Sequence, residues 1–196
     1  MTEDQPPAAG GATPAERPRP HENCYWVPGT HVLAGEYPVR RWDDVGRPRI
    51  AALLDAGIRR FIDLTEEGEG GLPSYVHMVA EEAELRGITA SYSRMSFRDR
   101  SVPATVAEMR AILDTLEAAE EAGEATYLHC WGGVGRTGTV VGCLLVNRGV
   151  TGDEALAAVA ALFATTSAEK QMNHPEGSPQ TVEQCEFVAG WLSGGE

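Results

Sequence analysis

From Tyr25 onward the apolar positions fall into runs that switch between strand-like and helical spacing. "YWVPGTHVLAGEYP" mixes aromatic and β-branched residues with Pro and Gly, which predicts short strands and turns. "RPRIAALLDAG" sets Ile50, Leu53 and Leu54 at helical spacing and stops at Gly57, and "IRRFIDLT" follows as a short buried strand. The unit recurs. "SYVHMVAEEAELRG" predicts an amphipathic helix ending at Gly87, and "ITASYSRMSF" a further strand. A longer helix is expected over "PATVAEMRAILDTLEAAEEAG", where Val106, Met109, Ile112, Leu113 and Leu116 share a face, and "ATYLHC" is the next strand. "TGTVVGCLLVNRG" is apolar on nearly all sides, the mark of a central buried helix, and two more helices are expected near 153–165 and 179–193. Strands separated by helices of this length predict an α/β domain. Its central, mostly parallel sheet is flanked by helices, and ligands gather at the carboxyl ends of the strands.

Composition adds the limits. Residues 1–22 hold five prolines and no periodic apolar pattern, so a disordered N-terminal tail is expected there, followed by one domain over 23–196. A net charge of −13 argues against a nucleic-acid partner, and no apolar run approaches the roughly 20 residues that span a bilayer. The N-terminus opens acidic, without the apolar core of a secretory signal, so a cytoplasmic location is the expectation. Four cysteines lie scattered without a CxxC pair and share no metal-ligand spacing with the five histidines, so neither metal nor cofactor is expected. Of these, Cys143 falls inside an apolar helix and reads as core, and Cys24 and Cys185 read as ordinary thiols. The acidic "TEEGEGG" reads as a flexible solvated loop, with a place at the rim of a ligand pocket as the alternative.

The chemistry concentrates in "HCWGGVGRTG", residues 129–138. A strand ending at Cys130, a turn through Trp131, Gly132, Gly133, Val134 and Gly135, and a helix starting near Gly135 to Thr137 aim backbone N–H groups at one point, which makes an anion site. Glycine permits positive φ and close approach, and Arg136 adds a planar fork for two phosphate oxygens. A helix N-terminus and a guanidinium also favour the thiolate of Cys130. Thiolate and cradle together imply attack of sulfur on phosphorus, with Arg136 and the amides stabilising the equatorial oxygens.

These residues resemble the HCx5R(S/T) signature of cysteine-dependent protein tyrosine phosphatases, and the "GxGRTG" ending is similar to the dual-specificity branch. "LAGEYP" and "FIDLT" look like further landmarks, so the resemblance runs from about residue 25 to 193. It implies that fold, a cysteinyl-phosphate intermediate, and an aspartate upstream as general acid. "FRDRSVP" places Asp99 31 residues before Cys130 and four before Pro103, in that role. By the same resemblance Thr137 stabilises the leaving thiolate and His129 tunes the thiol without transferring protons. Gln180 or Gln184 in "SPQTVEQ" orients the hydrolytic water.

The expected function is removal of phosphate from phosphotyrosine, and from phosphoserine or phosphothreonine, in a phosphorylated protein partner by a monomer. One alternative is a phosphatase of a non-protein phosphomonoester such as a phosphoinositide, sugar phosphate or nucleotide. Lipid-directed relatives often carry lysine inside the loop, and this loop has none. The other is a non-catalytic phosphate-binding module, which would ordinarily have lost the cysteine, arginine or aspartate that this chain keeps. Arg98 and Arg100, beside Asp99, either draw in an anionic substrate or are plain solvated arginines.

Overall fold

The structure, a computed structural model, describes residues 17–39 and 45–193. Five strands form one sheet: β1 (Cys24–Trp26), β2 (Val32–Gly35), β3 (Ile58–Asp63), β4 (Ser91–Arg94) and β5 (Ala125–His129), in the order β1-β2-β5-β3-β4. All pairings are parallel except β1 with β2, so the mostly parallel sheet expected from the alternation of elements is present, with an antiparallel edge. Helices α1 (Gly46–Asp55), α2 (Val76–Leu85), α3 (Val106–Glu121), α4 (Gly135–Asn147), α5 (Gly152–Phe163), α6 (Ala168–Asn173) and α7 (Val182–Ala189) complete it. No helix among the described residues is long and apolar enough to cross a membrane.

Alternation along the strands sends neighbouring side chains to opposite faces, and each face has its own core. Leu33, Phe61 and Tyr127 pack with Ile50 and Leu53 of α1 and Val79 of α2. Ala34, Ile62 and Leu128 pack with Met109 of α3, Val140 and Leu144 of α4, and Val188 of α7. Each large apolar side chain removed from water in these layers stabilises the fold by roughly 1.5–3 kcal/mol. β5 lies between β2 and β3, so its carboxyl end opens at the middle of the sheet. From there the chain turns into α4, whose first twelve residues are all buried.

Two boundaries and one element depart from expectation. The domain begins earlier than residue 23, because residues 17–22 pack onto it. The Arg17 guanidinium lies 5.0 Å from the Trp26 ring, Arg19 donates to Thr165 O at 2.8 Å, and His21 Nε2 meets the Tyr127 hydroxyl at 3.1 Å. The remainder of the expected tail, residues 1–16, lies outside the described residues. The strand expected over 88–97 spans only Ser91–Arg94, because residues beyond it leave the sheet to bring the Phe97 carbonyl to Arg136. Helix α6 is an unforeseen element; at six residues it is too short to show helical periodicity, and its N-cap Ser167 accepts from Lys170 N at 3.2 Å.

Candidate active site

The turn between β5 and α4 crosses the end of β2 with no room to spare. A Cβ on Gly133, whose φ is +69°, would stand 2.4 Å from Gly35 C and O, so only glycine fits. The outward carbonyls of the turn are held by their surroundings. Cys130 O faces His129 Nδ1 at 3.2 Å, Trp131 O accepts from Tyr37 N at 2.9 Å, Gly132 O from Lys170 Nζ at 3.0 Å, and Val134 O from Ser178 Oγ at 2.8 Å. A trans peptide points its N–H opposite to its carbonyl, so carbonyls fixed outward turn amides inward. Cys130, Trp131, Gly132, Val134 and Gly135 line a cavity of about 360 Å³, together with Asp99 and Gln180.

Arg136 is fully buried. Its Nη1 donates to Leu64 O and Phe97 O, each at 3.1 Å, and to Glu69 Oε2 at 2.7 Å, while Nη2 donates to Glu69 Oε1 at 2.5 Å. Glu69 thus takes the outer Nη1–Nη2 edge. The side edge, Nε with Nη2, carries a buried Nε that no atom of the described residues accepts from, and Asp99 Oδ1 lies 3.0 Å from Nη2. That edge has the two-donor geometry that suits two oxygens of one anion.

Glu69 was not foreseen. It sits in the "TEEGEGG" segment, which forms a 3₁₀ turn over Glu69–Gly71 instead of a solvated loop, with its carboxylate side chain only 10% exposed. Gly68, Gly70 and Gly71 all have positive φ, and a Cβ on Gly70 would lie 2.2 Å from Trp131 Cη2. The indole of Trp131 therefore rests on the turn that presents Glu69.

The other expected residues are placed as follows. Cys130 is 3% exposed at the cavity, and Asp99 stands half-exposed above Arg136. Asp99 precedes Arg100, whose φ of +59° is a left-handed conformation rare for a non-glycine residue. The Thr137 hydroxyl is buried and has no hydrogen-bond partner among the described residues. His129 is buried between the Cys130 carbonyl and the Tyr75 hydroxyl at 2.5 Å. A carbonyl can only accept, so Nδ1 carries the proton and Nε2 accepts from Tyr75. Burial holds this imidazole below its usual range, so it is neutral.

The two glutamines differ. Gln180 lines the cavity and donates to Glu176 at 2.6 Å. Gln184 is fully buried as the capping partner of α7, accepting from Gln180 N and Thr181 N, and it donates to Ser101 O at 2.9 Å. It braces the Asp99 loop from behind.

The chain is 30% identical over 117 residues to protein 067L of Invertebrate iridescent virus 3, whose name describes a tyrosine phosphatase; that stretch is 58% of this chain and 42% of the viral one. The chain therefore matches less than half the length of this curated relative. Among solved structures, Tk-PTP in its active form shares the fold with a TM-score of 0.60 and 22% identity, over 85% of this chain and 93% of that one. Kinase-associated phosphatase, with serine in place of its catalytic cysteine, shares it with a TM-score of 0.63 and 19% identity, over 80% and 83%. The model of the Swiss Army Knife protein DSP-PTPase phosphatase domain matches residues 21–188, which span the cradle, Asp99 and Glu69 alike, and the chain belongs to that family of dual-specificity-type phosphatase domains.

Proposed function

We propose that this phosphatase hydrolyses phosphotyrosine in proteins through a phosphocysteine intermediate. The observation that carries the reading is the side edge of Arg136: a buried, unengaged Nε beside an Nη2 that lies 3.0 Å from Asp99. A phosphate seated on that edge meets donor, nucleophile and acid together. The Cys130 thiolate attacks phosphorus, the bond from phosphorus to the leaving oxygen breaks, and protonated Asp99 gives its proton to that oxygen. Water then attacks the phosphocysteine, Asp99 takes a proton from it, and inorganic phosphate leaves as the thiolate re-forms. The Thr137 hydroxyl, which has no partner among the described residues, stabilises that departing sulfur. Gln180 is the glutamine at the cavity and orients the water, while Gln184 acts through Ser101 on the acid loop. Tyr37, Val39, Leu72 and Trp131 give the cavity apolar walls that suit an aryl leaving group.

The test is hydrolysis of p-nitrophenyl phosphate and of phosphotyrosyl, phosphoseryl and phosphothreonyl peptides, set against phosphoinositides and sugar phosphates. Phosphate trapped on Cys130 by acid quench and a marked preference for phosphotyrosyl peptides are the expected results. Turnover surviving Cys130→Ser overturns the mechanism, and preference for a lipid or sugar phosphate overturns the protein substrate.

A further inference from the structure

Lys170 is the single lysine of the chain, which otherwise carries its positive charge on fifteen arginines. Its side chain is only 11% exposed, and it reaches from α6 to the phosphate loop. The ammonium donates to Gly132 O at 3.0 Å and pairs with Glu36 Oε2 at 2.5 Å. Glu36, just past the end of β2, also pairs with Arg49 at 3.0 Å and accepts from Asn23 Nδ2 at 3.3 Å. Asn23 Oδ1 in turn accepts from Ser167 Oγ at 2.9 Å, at the start of the helix that carries Lys170.

We infer that Lys170 is a positioning residue that keeps the Gly132–Gly133 peptide in its phosphate-binding orientation. A peptide flanked by two glycines rotates more freely than any other, since neither residue has a Cβ to restrict φ and ψ. Rotation by half a turn would bring the Gly132 carbonyl into the cradle and take the Gly133 N–H out, replacing a donor to phosphate with a repelling oxygen. The neighbouring carbonyls of Trp131 and Val134 are held by a backbone amide and a hydroxyl, whereas among the described residues that of Gly132 is held by this ammonium. Gly133 cannot be stiffened, because a Cβ there meets Gly35 at 2.4 Å. Gly132 can: its φ is not positive, and the nearest atom to a Cβ there is His174 Nε2 at 3.5 Å.

The inference rests on the phosphatase reading. Loss of activity in Cys130→Ser tests that reading separately. Lys170→Met should lower kcat/KM for p-nitrophenyl phosphate by about tenfold to a hundredfold and weaken competitive inhibition by inorganic phosphate in the same proportion. That is short of the roughly 10²–10³ lost when an oxyanion donor is deleted outright. Lys170→Arg should keep most of the activity, and Gly132→Ala added to Lys170→Met should restore part of the phosphate affinity by restricting residue 132. Unchanged phosphate inhibition in Lys170→Met overturns the inference. So does a loss that Gly132→Ala leaves untouched, since a plain charge effect would behave that way. If Lys170→Met does not fold, Lys170→Arg against the shorter Lys170→Gln makes the same comparison: equal phosphate inhibition in the two overturns the inference.

Discussion

Glu69 grips Arg136 along the outer edge of its guanidinium, at 2.7 and 2.5 Å, and so leaves the other edge, Nε with Nη2, to the side of Asp99. Because Arg136 is buried in the protein, that carboxylate also offsets the cost of burying its charge. Glu69→Gln should therefore act twice. Stability should fall by about 3 kcal/mol, the low end for breaking a buried pair, since Leu64 O, Phe97 O and Asp99 stay in place. The kcat/KM for p-nitrophenyl phosphate should fall by up to about 10²-fold as the fork loses its alignment. Urea unfolding with and without inorganic phosphate checks both effects: phosphate stabilises the parent more than a variant that binds it less tightly, so the deficit should widen when phosphate is present. An equal deficit at saturating phosphate would mean that Glu69 does not serve the phosphate edge.

Asp99→Asn removes the proton donor while keeping the shape. For phenyl phosphate kcat/KM, which reports only the steps through loss of the leaving group, should drop by about 10²–10⁴, the usual worth of a positioned acid. For p-nitrophenyl phosphate, whose leaving group needs less help from a proton, the drop should be much smaller. Steady-state kinetics on the two esters give the comparison, and equal losses on both would remove Asp99 from the acid role.

Gly70→Ala pushes a methyl group into the Trp131 ring, at 2.2 Å from Cη2, and places Ala at φ +55°. The turn bearing Glu69 must shift, so the kinetics should resemble those of Glu69→Gln. Trp131→Ala in the same chain removes the collision and should return much of the activity, leaving a residual cost of about 1 kcal/mol for the left-handed alanine. The two substitutions should therefore be clearly non-additive in a double-mutant cycle.

The acid side of the stability curve should report His21. Its Nε2 faces a Tyr127 hydroxyl that already donates to Glu36 O at 2.6 Å, so Nε2 carries a proton, and Nδ1 is buried with no partner among the described residues. Burial first, and then the charge of Arg49, push this imidazole from 6.5 down to about 4. The unfolded chain therefore binds a proton near pH 6.5 that the folded chain refuses until about pH 4, so stability is complete above that window and falls as pH drops through it. The loss from this group should reach roughly 3 kcal/mol at most, with His129, also lowered by burial, adding in the same direction. Urea unfolding of His21→Gln across the window should show a flatter fall than the parent. Parallel curves would place the pH dependence elsewhere.

How far the sequence spoke differs between the two halves of the site. The cradle is contiguous, and its glycines, Cys130 and Arg136 are all readable in ten residues; Asp99 is marked by Pro103 four positions on. Glu69 has no such frame. A carboxylate among glycines looks like solvent-facing chain, and only the folded arrangement shows that positive φ at Gly68, Gly70 and Gly71 bends it onto Arg136. Lys170 lies 40 residues from the cysteine in a helix of six, below the length at which periodicity speaks. Its rarity in the composition was a signal. The start of the domain was hidden for a related reason, since Arg17, Arg19 and His21 attach through polar and cation–π contacts that leave no apolar pattern.

A chain with one lysine has one ε-amine, and here that amine touches the phosphate loop. Isotope-labelled lysine supplied during expression would put a single side-chain resonance in the spectrum, at Gly132. Without any substitution or attached dye, that resonance would follow the loop as anions arrive and leave, from within the site itself.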